Sequence, residues 1–172
     1  MQQKMKWLIL LLLLITITAV CIAAWAVFYF ASDLPMPPDY APIETEEHAQ
    51  DISDDLQEKN QAEAGGGRVS LMYSDEVTVD LSEQKVQLMF ANPTRSSHDV
   101  ILQIVVRNRI LVQSGLLVAG TKVQVLDLSE GAAEKLKIGG YDGAFVLYYY
   151  DQQTGERAIV NTEIPVHVSV RE

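Results

Sequence analysis

The chain has one cysteine, Cys21, among 172 residues. That excludes an intramolecular disulfide framework and cysteine-rich zinc sites, both of which need several thiolates. Histidine is scarce too: His48, His98 and His167 are far apart and lack any ligand spacing of the His-x-x-x-His kind, so no metal is expected. Cations are few and scattered, 13 Lys and Arg against 23 Asp and Glu, for a formal charge of −10. Neutralising phosphates takes clustered Lys and Arg, so nucleic acid is not an expected partner. Neither a Gly-x-Ser-x-Gly elbow nor a phosphate loop occurs. Gly65-Gly66-Gly67 has no strand before it and no helix after it, and reads as a hinge. With no nucleophile or acid–base set visible, the chain is expected to be non-enzymatic and free of cofactors.

Charge is also missing from one long stretch. Residues 7–30 are 24 positions without an ionisable acid or base, and their polar members are Thr16 and Thr18. As a helix at about 1.5 Å per residue they reach roughly 36 Å, enough to cross a hydrocarbon core of about 30 Å. Trp7 stands at one end and Trp25 and Tyr29 near the other, where interfacial aromatics belong. Lys4 and Lys6 precede the run and Asp33 and Asp39 follow it, so the positive-inside rule puts residues 1–6 in the cytoplasm and the rest outside. A cleaved signal peptide would have a shorter apolar core, and Val27-Phe28-Tyr29-Phe30 continues past the small residues of Ala24-Trp25-Ala26. The expectation is an uncleaved single-pass anchor in the cell membrane.

Residues 31–68 hold ten acids against Lys59 and Arg68. Pro35, Pro37, Pro38 and Pro42 favour an extended stalk, and the acidic run after them has few large apolar residues, chiefly Ile52 and Leu56. The segment reads as a disordered tether, with a transient helix at 54–64 capped by Ser53.

From Val69 onward the period becomes two. Val77, Val79 and Leu81 alternate with polar residues, as do Val86, Leu88 and Phe90, and Ile164, Val166, Val168 and Val170. The run 100–106 is apolar on both faces and reads as a central strand. Asn92-Pro93-Thr94, Asn108-Arg109 and Asp151 to Gly155 are turns, and Ser129 to Leu136 is the one credible helix. Eight or nine short strands in residues 69–172 predict an all-β domain, a single antiparallel β-sandwich. Its expected core draws on Val79, Leu88, Phe90, Leu102, Ile104, Phe145, Leu147 and Val168.

Leu136, Gly139, Gly140 and Tyr141 resemble the tyrosine corner of immunoglobulin-like and fibronectin type III-like domains. The resemblance implies that the Tyr141 hydroxyl bonds back to the chain a few residues upstream. The antibody-type cysteines and strand C tryptophan are absent. The layout of anchor, acidic tether and cysteine-free outer domain resembles small uncharacterised membrane-anchored proteins of Gram-positive bacteria, which implies a place in the envelope.

Few groups invite chemistry. Asp75, Glu76, Asp142 and Asp151 could meet at one end of a sandwich, but calcium takes roughly six to eight oxygens, and two or three loop acids are often turn formers, which is how these read. A Lys85–Asn161 isopeptide crosslink would need a buried lysine, and Lys85 has outward parity. If Tyr141 faces inward, Val146, Tyr148 and Tyr150 face outward and form a candidate binding surface. The leading functional expectation is an extracytoplasmic interaction module with a protein partner, an accessory subunit of a secretion or conjugation machine. The alternative is a glycan-binding module that stacks sugars on the two tyrosines.

Overall fold

A computed structural model describes residues 2–30, 35–52 and 71–172. The chain divides into two compact units, Met1–Pro35 and Met36–Glu172.

The first unit is helix α1, Gln2–Phe30, which contains an 18-residue window, Met5–Ile22, of mean hydropathy 2.5. It is long and apolar enough to cross a bilayer. The two threonines satisfy their hydroxyls internally: Thr16 Oγ1 donates to the Leu13 carbonyl at 2.9 Å and Thr18 Oγ1 to the Ile15 carbonyl at 2.9 Å. Neither threonine hydroxyl hydrogen is therefore left facing an apolar surround.

The second unit is built from strands β1 (Gln50–Asp51), β2 (Met72–Tyr73), β3 (Glu76–Asp80), β4 (Lys85–Asn92), β5 (His98–Val106), β6 (Arg109–Gln113), β7 (Thr121–Asp127), β8 (Gly139–Asp151) and β9 (Arg157–Arg171). They form one curled mixed sheet in the order β1-β7-β4-β3-β9-β8-β5-β6, with β2 paired to β4. The all-β expectation holds for this unit, but the purely antiparallel arrangement is corrected. β3 runs parallel to β9, with Val77 opposite Val168 and Val79 opposite Val170, while its other edge pairs antiparallel to β4. Because β3 is hydrogen-bonded on both edges, two strand groups that would otherwise be separate sheets are continuous through it.

The curl wraps one apolar core. All eight expected core residues lie in it, fully or nearly buried, together with Val100, Leu117 and Tyr149. Phe90 and Phe145 meet edge-on at its centre, with ring centroids 6.2 Å apart.

Local signals resolve unevenly. The 151–155 turn forms as expected: the Gly155 amide donates to the Asp151 carbonyl at 2.8 Å, and Gly155 takes the left-handed φ of 71°. Asp151 Oδ1 accepts from the Thr154 and Gln153 amides, and these bonds hold its carboxyl below the ordinary aspartate range. The β5–β6 hairpin turns at Arg107-Asn108, both at positive φ, one residue earlier than Asn108-Arg109. The expected helix 129–136 shrinks to a 3-10 turn, Ala133–Lys135, too short to hold more than one apolar contact row.

The tether expectation meets the described residues at 35–52. There the chain is not a free stalk: the compact unit begins at Met36, not at Val69. The amide of Ile52 donates to the Gly120 carbonyl at 2.9 Å, and the Ile52 side chain is buried. The transient helix at 54–64 and the glycine hinge lie outside the described residues.

A fragment starting at Met36 is therefore expected to be more stable than one starting at Gly67. The shorter one forfeits the Ile52 burial and uncovers other apolar side chains, at about 1.5–3 kcal/mol each, so a difference of at least about 3 kcal/mol should appear in urea melts. Equal stabilities would mean that residues 36–52 contribute nothing to the fold.

Candidate functional site

β8 alternates strictly, and both of its faces are apolar. Phe145, Leu147 and Tyr149 enter the main core. Val146, Tyr148 and Tyr150 point to the opposite face, as parity predicts. The expected exposure of these three is corrected: they are buried in a second cluster with Ile101 and Leu116, and Tyr150 has no exposed surface. The sugar-stacking surface therefore does not exist in this conformation. What covers it is residues 36–46, a strap from the segment expected to be a tether, together with residues 116–118.

The strap's sequence suits the task. Its prolines favour extended backbone and leave carbonyls free to accept. The Tyr150 hydroxyl donates to the Pro38 carbonyl at 2.8 Å, and the Ala41 amide donates to the Gly155 carbonyl at 2.8 Å. Ala41 is small enough to pack on the second cluster. Asp39 Oδ1 lies 2.6 Å from the Arg157 guanidinium, whose carbon is 6.0 Å from the centre of the Tyr148 ring. The Asp39 hydrogen bond is the first reason that Arg157 is held more firmly in its charged form. Burial pushes the phenols of Tyr149 and Tyr150 above the ordinary tyrosine range, so both stay neutral at physiological pH; the Thr162 hydrogen bond opposes the shift at Tyr149 and the Arg157 charge opposes it at Tyr150.

Glu46 is the second fastening. Its Oε2 accepts the Gly115 amide at 2.5 Å, and its Oε1 lies 3.1 Å from His48 Nδ1. Gly115 is required here, because a Cβ on it would stand 2.9 Å from Glu46 Cα. His48 Nε2 is 3.8 Å from Asp127 Oδ2, which places the imidazole between two carboxylates. Beside them opens a cavity of about 420 Å³, with Glu44, Glu46, His48, Gln113, Ser114 and Asp127 in its lining.

Several of these groups already have partners. Each His48 ring nitrogen faces a carboxylate, and the Ser114 hydroxyl is engaged between the Leu102 amide and the Gly115 carbonyl. Among the described residues no three His, Cys, Asp or Glu side chains converge as metal ligands. Asp142 and Asp151 sit nine residues apart on β8, roughly 30 Å along the strand, so the four acids weighed for calcium do not meet. Lys85 on β4 pairs in register with Asp127, and Asn161 is exposed on β9.

The structural corner is present. The Tyr141 hydroxyl donates to the Lys137 carbonyl at 2.8 Å and faces the Lys137 amide at 3.2 Å. Its ring is only half-buried, under the Arg107 guanidinium at 4.7 Å, and Gly139 and Gly140 already belong to β8. Leu136 packs against the main core. Sequence reasoning missed Asp39, Glu46, Gly115 and Arg157. No local pattern marks them, since each acts on a residue at least 69 positions away. Comparison with protein-family models, with curated proteins and with solved structures finds no match to this chain.

Three substitutions test this arrangement. Tyr150→Phe keeps the ring and strands the Pro38 carbonyl, so it should cost about 1–2 kcal/mol, while Tyr141→Phe, whose partners are open to water, should cost about 0.5–1 kcal/mol. A larger loss at Tyr141 in urea melts would contradict the burial order. Gly115→Ala should push the strap away at a cost of about 1–3 kcal/mol. Limited proteolysis of that variant should then cut within residues 36–46 before the β strands, and an unchanged cleavage pattern would show that the strap is not held there.

Proposed function

We propose that this chain is a single-pass membrane protein whose β unit works outside the cytoplasm as a non-enzymatic interaction module for a protein partner in the envelope. The observation that carries the reading is a membrane-length apolar helix followed, six residues after Phe30, by a unit with its own core. Lys4 and Lys6 before the helix support the orientation. The strap's carboxylates and the His48 imidazole are spent on fastening, which supports binding over catalysis.

The finer fold reading is an immunoglobulin-like module. Its support is the pairing order: β7-β4-β3 correspond to strands E, B and A, and β9-β8-β5-β6 to strands G, F, C and C′. The Tyr141–Lys137 bond at the start of the F-equivalent strand agrees with that assignment. The glycan-binding reading has lost its carrying residues, since Tyr148 and Tyr150 are covered.

Protease added to intact spheroplasts should remove an epitope placed after Glu172 and spare one placed before Met1. Protection of the C-terminal epitope would overturn the orientation. Photo-crosslinking from exposed β-unit positions in intact cells should yield a discrete protein adduct, whereas adducts to glycan alone would reverse the choice of partner.

A further inference from the structure

Four exposed apolar side chains gather at the end of the β unit where the chain enters from α1. Met36 is 66% exposed and Tyr40 63%, both on the strap; Ile159 is 105% exposed and Val160 72%, both on β9. The two groups are fastened together. The Arg157 amide donates to the Asp39 carbonyl at 2.8 Å, Arg157 Nη1 lies 3.6 Å from Met36 Sδ, and Tyr40 bridges to Glu156.

The β9 pair is pushed out by a bulge. Tyr148 pairs with Asn161 and Tyr150 with Arg157, so Tyr149 alone faces residues 158–160. The surplus residues bow away from β8, which re-aims Ile159 and Val160 into solvent. Such bulges usually protect an edge from strand addition, and Pro165 further along the same strand has no N–H to offer. An added β strand is therefore a poor occupant.

A lipid surface is a good one. Six Cα steps from Phe30 to Met36 span at most about 20 Å, so this end of the unit cannot be far along the chain from the end of α1. Tyrosine, methionine and isoleucine are side chains that enter the boundary between headgroups and acyl chains. The charge nearby is acidic or spent: Arg157 is paired to Asp39, and Glu156 is exposed. Attraction would therefore be apolar and would need no anionic lipid.

We infer that Met36, Tyr40, Ile159 and Val160 form a surface that inserts into the headgroup–acyl boundary of the bilayer crossed by α1. This rests on the anchor reading above, and the test separates the two. The full chain carrying Trp7→Phe, Trp25→Phe and Ile159→Trp is reconstituted in phosphatidylcholine vesicles brominated high on the acyl chain. A parallel protein carries Glu83→Trp instead, at the turn after β3, near the opposite end of the unit. Both new tryptophans replace exposed side chains, so the core is untouched.

The expected result is blue-shifted emission quenched by bromine for Ile159→Trp and neither effect for Glu83→Trp. Unquenched, red emission from Ile159→Trp in protein that resists alkaline carbonate extraction overturns the docking surface and leaves the anchor standing. A blue shift without quenching means that a second copy covers the residue, and also overturns it. Extraction of the protein by carbonate overturns both readings.

Discussion

A strand apolar on both faces needs two covers, and the architecture of this unit follows from meeting that need at β8. Phe145, Leu147 and Tyr149 are covered by the curl of the sheet itself, which brings β3, β4 and β7 over them. Val146, Tyr148 and Tyr150 face away from that curl and would lie bare. Three such side chains with Ile101 would form a contiguous apolar patch of the kind soluble surfaces avoid. The chain supplies its own cover by folding residues 36–46 across them. The folded unit therefore reaches back well before the first alternating strand.

The cover is a polar construction as much as an apolar one. Met36, Tyr40 and Ile43 point into solvent, while Ala41 and the proline backbone lie against the tyrosines. What holds the strap is directional: the Tyr150 hydroxyl on the Pro38 carbonyl, the Arg157 guanidinium on Asp39, and the Gly115 amide on Glu46. Buried polar groups demand partners, so these bonds set the strap's register in a way that apolar contact alone would not.

β9 bears a related load. Its first half pairs with β8, and its last five residues pair with β3, four of them, His167 to Val170, with β8 as well. The bulge opposite Tyr149 lets the strand bend between these duties. That same bend brings Arg157 to the strap and turns Ile159 and Val160 outward, so fold closure and surface chemistry share one irregularity.

Much of this was legible in the residues. Helix α1 follows from 24 uncharged positions, the core from period-two alternation, and the outward parity of Tyr148 and Tyr150 from their place between Leu147 and Asp151. The Asp151–Gly155 turn and the Tyr141 bond to Lys137 also follow from neighbours in sequence. These are short-range properties, because which face a side chain takes depends on backbone geometry within a few residues. Whether that face is wet was not legible. It depends on Pro38 meeting Tyr150 across 112 positions and Asp39 meeting Arg157 across 118. Proline content and acidity describe an extended, solvated chain equally well whether it hangs free or lies along a sheet, since both states leave the backbone extended. Only the tertiary structure, by placing a doubly apolar strand beside that segment, decided that residues 36–52 belong to the domain.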